Sequence, residues 1–79
     1  MANVKIYSTP TCPYCKKAKV FLTTHNIPFE DINVAADQQA AEAMIAKSGE
    51  MGVPQLDIDG KIIIGFDQDA IAQVLGLSV

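Results

Sequence analysis

Cys12 and Cys15 are the residues of this chain best suited to chemistry, because they are its only cysteines and only two residues separate them. They lie in the segment TPTCPYCKKAK, from Thr9 to Lys19, with prolines on either side of Cys12. Such a pair can be a redox dithiol, half of a zinc site or a structural disulfide. A disulfide here would close a loop of only four residues. So short a loop constrains the unfolded chain little, so a purely stabilising role is disfavoured.

Metal binding is the alternative from another functional class. Zinc prefers four ligands, and besides the two cysteines the chain offers one histidine, His25. A helix would hold His25 about 15 Å from Cys15, at 1.5 Å per residue. An iron–sulfur cluster shared by two chains through Cys12 is a further alternative. The redox dithiol is the preferred hypothesis, and no metal ligands are assigned.

The size and charge of the chain narrow the remaining function classes. Its 79 residues suit one domain, over residues 1–79. The net charge is −3, with six lysines and no arginine, which disfavours a nucleic-acid partner. No apolar run approaches the roughly 20 residues of a membrane span, and the N-terminus does not resemble a signal peptide. We therefore expect a cytoplasmic protein without a membrane partner, and a monomer.

Alternating apolar and polar residues predict four strands, and apolar residues at helical spacing predict three helices. The predicted elements are a strand at Val4–Tyr7, a helix from Pro13 that Asn26 and Pro28 end, a strand at Phe29–Val34, a helix at Gln38–Lys47 capped by Asp37, strands at Gln55–Ile58 and Lys61–Ile64, and a helix from the cap Asp67 to Gly76. Asp59-Gly60 predicts a tight hairpin between the last two strands. The order β-α-β-α-β-β-α predicts a mixed four-stranded sheet with helices on both faces.

Each predicted helix has an apolar face that should point towards the sheet. The expected inward residues are Ala18, Phe21, Leu22 and His25 in the first helix, Ala41, Met44 and Ile45 in the second, and Ile71, Val74 and Leu75 in the third. The three lysines after Cys15, at positions 16, 17 and 19, should form mainly a solvated face. Their positive potential would still favour the approach of an anionic partner.

The position of the dithiol between a strand and a helix predicts unequal roles for its cysteines. Cys12 falls at the helix N-cap and Pro13 at the first helical position. The free N–H groups of Tyr14 and Cys15, together with the helix dipole, should favour the Cys12 thiolate. Cys15 lies one turn further in and closer to the sheet. Cys12 is therefore the predicted nucleophile, and Cys15 the thiol that resolves the mixed disulfide.

The segment CPYC at Cys12–Cys15, preceded by Ser8–Thr11, resembles the active site of a dithiol glutaredoxin. The resemblance continues at Val53-Pro54 and at Gly65–Asp69, and it spans essentially the whole chain. It implies a thioredoxin-like α/β fold and a single glutaredoxin-like domain. The implied activity is that of a thiol–disulfide oxidoreductase that reduces protein disulfides or glutathione mixed disulfides. The implied co-substrate is glutathione, with no tightly bound cofactor.

The same resemblance implies further site residues. Pro54 would be a cis proline facing the dithiol, and Val53 would offer backbone groups to a substrate cysteine. Four side chains match positions that hold the ends of glutathione in this family: Lys5, Tyr14, Gln68 and Asp69. Of these, Asp69 would meet the α-amino group of glutathione and Lys5 one of its carboxylates.

The resemblance weakens at Gly65-Phe66, where glutaredoxins usually carry two glycines. A phenylalanine here would narrow the groove that Pro13 and Gly65 also shape. Gly-Phe is similar to redoxins that accept electrons from thioredoxin reductase and supply ribonucleotide reductase, although those redoxins usually carry another pair between their cysteines. Phe66 also has the spacing of a hydrophobic staple to Ile71. For Phe66, substrate contact and packing in the core are both open alternatives. For the electron donor, glutathione and thioredoxin reductase are both open alternatives.

Overall fold

The computed structural model describes residues 3–76 of the chain. In that range four strands and three helices follow in the predicted order β-α-β-α-β-β-α. They are β1 Val4–Ser8, α1 Pro13–Thr24, β2 Glu30–Asn33, α2 Gln38–Ser48, β3 Gln55–Ile58, β4 Lys61–Ile64 and α3 Gln68–Leu75. The first two and last three residues of the predicted domain lie outside the described range. No helix in residues 3–76 is long and apolar enough to cross a membrane.

The sheet has the strand order β2-β1-β3-β4. β1 runs parallel to β2, across the connection made by α1, and antiparallel to β3. β4 returns from β3 as an antiparallel hairpin. Its turn residues Asp59 and Gly60 have φ angles of 52° and 90°, which a tight two-residue hairpin turn needs. The predicted mixed four-stranded sheet is confirmed, and β1 and β3 are its inner strands.

The main apolar core lies between the sheet and the helices α1 and α3. Side chains from alternate positions of the strands meet one face of each helix there. Its buried members are Val4, Ile6, Ala18, Phe21, Leu22, Leu56, Ile58, Ile63, Ile71 and Ala72. Val74 and Leu75 pack against this core, partly buried, as predicted. The two helices therefore hold the dithiol end of α1 firmly against the end of β1.

The helix α2 covers the opposite face of the sheet. Met44 is buried there, whereas Ile45 keeps 36% of its surface exposed, so the prediction that Ile45 points inward was wrong. The reason is that α2 meets the sheet along a narrow line and also places Lys47 over it. Lys47 Nζ lies 3.0 Å from Asp57 Oδ2 and donates a hydrogen bond to the Tyr7 hydroxyl. Helices thus flank both faces of the sheet, as expected.

The ion pair of Lys47 and Asp57 makes part of the stability depend on pH. Burial opposes ionisation of Asp57, but hydrogen bonds from Lys47 and the Gly60 N–H outweigh it and hold the pKa of Asp57 below its ordinary value. A carboxyl with a lowered folded-state pKa stabilises the fold above its unfolded-state pKa, near 4. That contribution is lost as the pH falls through the folded-state pKa.

We expect Asp57→Asn to lower the free energy of unfolding at pH 7 by about 1 kcal/mol or less, because Lys47 is partly exposed. The difference from wild type should shrink as the pH falls through the folded-state pKa of Asp57 and the wild-type carboxyl is protonated. Urea unfolding at a series of pH values measures it. A difference that is the same at pH 7 and pH 2 would show that the charge of Asp57 contributes nothing.

The helix α1 ends at Thr24, and Asn26, the predicted helix stop, directly follows its cap residue His25. Asn26 has a φ of 57°, the left-handed conformation that closes many helices. Its N–H donates to the Thr23 carbonyl at 3.0 Å, and the Ile27 N–H donates to the Leu22 carbonyl at 2.9 Å. These two bonds form the Schellman arrangement, with His25 as the cap residue. Strand ends differ from the prediction by one residue: β1 also includes Ser8, and β2 omits Phe29 and Val34.

Candidate active site

Cys12 is the N-cap residue of α1, as its sequence context predicted. The Cys15 backbone N–H donates a hydrogen bond to Cys12 Sγ at 3.2 Å. Pro13 occupies the first helical position, where no N–H partner is needed. An N–H aimed at sulfur and the positive end of the helix dipole both stabilise a negative charge on Cys12. The side chain is partly exposed, so a substrate disulfide can reach it.

Cys15 has a very different environment, although it lies only one helical turn away. It is fully buried and, like Cys12, a free thiol. Burial first, and then the hydrogen bond with Cys12, raise the pKa of the Cys15 thiol to about 11. A partly exposed sulfur, Cys12, and a fully buried thiol that resists ionisation, Cys15, are therefore placed side by side.

This asymmetry predicts selective alkylation. A thiol with a pKa near 11 is only about 0.01% ionised at pH 7, and only the thiolate reacts. We expect iodoacetamide at pH 7 to modify Cys12 at least about tenfold faster than Cys15, as read by peptide mass spectrometry. In denaturant the two rates should converge. Equal rates in the folded protein would contradict the assigned environments.

The loop before β3 forms a wall that faces Cys12. The Val53 carbonyl oxygen lies 3.8 Å from Cys12 Sγ, and the Val53–Pro54 peptide bond is cis, as the resemblance implied. Pro54 is buried, and its carbonyl accepts a hydrogen bond from the Gly65 N–H at 2.8 Å. Gly65 has a φ of 80°, and a Cβ added there would have no neighbour within 4 Å. Val53, Pro54 and Gly65 are called the facing wall below, because Val53 lies against Cys12 and Gly65 is hydrogen-bonded to Pro54.

Tyr14 stands between the two cysteines and is 58% exposed. Lys17 Nζ lies 5.0 Å from the centroid of its ring, at the distance of a cation–π contact. An exposed aromatic ring next to a nucleophile offers apolar surface to a bound molecule.

Phe66 packs towards α1 and not across the dithiol. Its ring meets that of Phe21 edge to face, with centroids 6.0 Å apart. Phe66 also lines a surface cavity of about 500 Å³, together with Val20, Phe21 and His25 on α1. Neither cysteine lines this cavity. The packing role predicted from staple spacing fits this position, because Phe66 and Ile71 contribute to the same core.

The structure does not bring Lys5 to the dithiol. Lys5 pairs with Asp57 across β1 and β3, whereas Gln55, the neighbour of Pro54, pairs with Tyr7. Lys5 therefore lies three residues, or about 10 Å, before the end of β1 at Ser8.

Gln68 and Asp69 are exposed in the first turn of α3, as expected from the sequence. Gln68 lines the cavity beside Phe66, on the side where Lys16 and Lys17 project from α1. Asp69 stays a predicted ligand contact. The structure thus places Cys12 and Cys15 next to the facing wall, and it places the first turn of α3 next to α1.

A family model described as glutaredoxin matches residues 4–63. This chain belongs to the glutaredoxin family. Glutaredoxin 3 of Escherichia coli K12 is 42% identical over 67 residues, covering 85% of this chain and 81% of that protein. A glutaredoxin-like 8.6 kDa protein in the rubredoxin operon of Clostridium pasteurianum is 50% identical over 72 residues, covering 91% of this chain and 96% of that one.

The fold agrees with this membership. The glutaredoxin-like protein NrdH-redoxin from Escherichia coli superposes with a TM-score of 0.83 at 30% identity, covering 90% of this chain and 92% of that structure. The predicted thioredoxin-like fold of the glutaredoxin type is therefore confirmed. As a glutaredoxin, the chain is a thiol–disulfide oxidoreductase.

A polar cluster that the sequence did not predict lies beside the glutaredoxin dithiol. Lys19, predicted to lie on a solvated face, instead forms an ion pair of 2.8 Å with Asp31 of β2 and has a side chain only 28% exposed. The Ser8 hydroxyl donates to Asp31 Oδ1, also at 2.8 Å. The spacing of four residues from Cys15 to Lys19 was the available sequence feature, since it sets both on one side of α1.

The sequence also did not predict the role of Gln55, which holds the loop that precedes β3. Its side-chain amide donates to the carbonyls of Glu50 and Gly52, at 3.0 and 2.8 Å. Gln55 is fully buried, so these bonds hold the loop that carries Val53. A glutamine directly after Pro54, at the start of a strand, was the available sequence feature.

Metal ligands are sparse around the dithiol. Among residues 3–76, no three His, Cys, Asp or Glu side chains are grouped so that they could hold one ion. The dithiol supplies two of the four ligands that zinc prefers.

Proposed function

We propose that this glutaredoxin reduces protein disulfides and glutathione mixed disulfides, with Cys12 as nucleophile and Cys15 as resolving thiol. The observation that carries the proposal is the unequal pair: Cys12 at the helix N-terminus with an N–H on its sulfur, and Cys15 fully buried beneath it. The Cys12 thiolate attacks a substrate sulfur and forms a mixed disulfide. Cys15 then attacks Cys12 Sγ and releases the reduced substrate.

The facing wall supports the way a substrate would bind. Val53 directs its carbonyl to Cys12 and donates no backbone hydrogen bond to another part of the described chain. The backbone of an extended substrate can therefore form hydrogen bonds with the backbone of Val53, as a peptide strand does when it adds to the edge of a sheet. Tyr14 would pack against the same substrate from the other side.

Glutathione is the proposed donor that restores the reduced dithiol. The packing of Phe66 supports this, because its ring lies against Phe21 and so need not narrow the groove. The 42% identity to glutaredoxin 3 points the same way. We propose that Tyr14, Gln68 and Asp69 contact glutathione, and the position of Lys5 argues against including it.

A second candidate donor is a thioredoxin reductase, with ribonucleotide reductase or a similar enzyme as electron acceptor. The Gly65-Phe66 pair and the likeness to NrdH-redoxin favour it, since that protein has a thioredoxin-like activity profile.

The donor is tested by NADPH oxidation in two parallel assays. One contains glutathione and glutathione reductase, and the other contains thioredoxin reductase, each with the protein and a disulfide substrate. We expect turnover with glutathione. Turnover only with thioredoxin reductase would contradict the glutathione proposal and establish the second donor.

We further propose that the protein acts as a monomer in the cytoplasm, without a bound metal. The cytoplasm keeps thiols such as Cys12 and Cys15 reduced. Anaerobic purification followed by metal analysis and a visible spectrum tests the alternative of a zinc or iron–sulfur module. Stoichiometric metal, or a coloured dimer, would support that alternative.

A further inference from the structure

The polar cluster of Ser8, Asp31 and Lys19 lies beside the buried cysteine. Lys19 follows Cys15 by one helical turn, so their Cβ atoms are about 5–6 Å apart on the same side of α1. Lys19 is held there by Asp31, which in turn accepts the hydroxyl hydrogen bond of Ser8. Ser8 is only 2% exposed. Three residues from α1, β2 and β1 thus fix one positive charge near Cys15.

Cys15 depends on such fixed groups, because its burial excludes stabilisation of its thiolate by water. The Thr9 backbone N–H and the charge of Lys19 favour ionisation of Cys15, whereas burial and Cys12 oppose it. Asp31 on β2 acts through Lys19. The start of α3 carries two exposed carboxylates, Asp67 at the N-cap and Asp69 in the first turn. Lys19 is thus a cation whose charge opposes the effect of burial on Cys15.

We propose that Lys19 accelerates the resolving step by stabilising the Cys15 thiolate, and that Asp31, held by Ser8, positions Lys19 and moderates its charge. This deepens the proposed function and rests on its dithiol mechanism. In that step the Cys15 thiol loses its proton to water. Its sulfur forms a bond to Cys12 Sγ, the bond from Cys12 to the substrate sulfur breaks, and the substrate leaves as a thiolate that takes a proton from water.

Two charge changes should act in opposite directions. Lys19→Gln removes the cation, and one neighbouring charge can change the thiolate fraction about tenfold. The thiolate that does form in Lys19→Gln is about threefold more nucleophilic, because nucleophilicity rises with thiol pKa at a Brønsted coefficient of 0.4–0.5. This gain partly offsets the tenfold loss of thiolate, so the resolving step at pH 7 should be about threefold slower. Asp31→Asn keeps an oxygen for Lys19 but removes the opposing charge. It should resolve faster, by up to about threefold.

The experiment is a stopped-flow reaction of the reduced full-length protein with a symmetrical aromatic disulfide that releases a coloured thiolate. The first equivalent of colour reports attack by Cys12, and the second reports resolution by Cys15. The second phase is measured from pH 6 to 9 for wild type, K19Q and D31N. Lys19→Arg, which keeps the charge, should match wild type. Lys61→Gln at the start of β4 removes an equal charge far from the dithiol and should also match.

The outcomes separate the two proposals. Release of only one equivalent of coloured thiolate by wild type would overturn the dithiol mechanism itself. Two phases, with K19Q slower and D31N faster in the second phase alone, would support the role of Lys19. A second phase unchanged in both variants, or slowed equally in both together with a lowered Tm, would overturn it, because a merely structural cluster has no opposite effects.

Discussion

Cys12→Ser is expected to abolish thiol–disulfide exchange, with a loss of at least about a hundredfold, because removing the nucleophile of a covalent mechanism leaves only binding. A serine hydroxyl at the N-cap would still accept the Cys15 N–H, so the fold should be unaffected. The rate of disulfide reduction by each purified variant, coupled to NADPH oxidation, measures the loss.

Cys15→Ser is the matched control for this prediction. It should keep the monothiol step on a glutathionylated substrate, because glutathione itself can release Cys12 from the mixed disulfide. It should lose most activity on protein disulfides, which need the resolving thiol. Comparable activity of Cys12→Ser and wild type would contradict the assignment of the nucleophile, and equal losses in both variants on glutathionylated substrate would contradict the division of roles.

Leu56→Ala is expected to lower the free energy of unfolding by about 2–5 kcal/mol. Leu56 lies on the inner strand β3, is fully buried, and belongs to the core between the sheet and the helices α1 and α3. A domain of 79 residues has a total stability of about 4–12 kcal/mol. The loss should lower Tm by about 10–30 °C.

Ile64→Ala is the control for this truncation, since it removes a similar side chain from the neighbouring strand β4. Ile64 is 51% exposed, so the cost should be about 1 kcal/mol or less. Thermal and urea unfolding followed by circular dichroism measure both variants. Similar losses at the two positions would contradict the assignment of the core face of the sheet.

Local patterns predicted the elements of this fold well. The strand at β1, the caps Asp37 and Asp67 and the Asp59-Gly60 hairpin all depend on residues close in sequence, and each appears as expected. The cysteine at the start of α1 was predictable for the same reason, because a proline at the first helical position marks the helix start.

Long-range contacts set the features that the sequence did not predict. The sequence left open whether Phe66 packs or contacts a substrate, because that choice depends on Phe21, which is 45 residues earlier in the chain. The ion pair of Lys19 depends on Asp31 of another element, and helix periodicity alone placed Lys19 in solvent. The distance of Lys5 from the dithiol follows from strand register, which a motif comparison does not include.

The most direct test of the account is to trap the mixed disulfide. Cys15→Ser is incubated with glutathione disulfide, digested and analysed by mass spectrometry, beside wild type and Cys12→Ser. We predict one glutathione on Cys12 in Cys15→Ser, a disulfide between Cys12 and Cys15 in wild type, and no adduct in Cys12→Ser. An adduct on Cys15 in Cys12→Ser, formed as fast as that on Cys12, would contradict the claim that the exposed cysteine attacks and the buried one resolves.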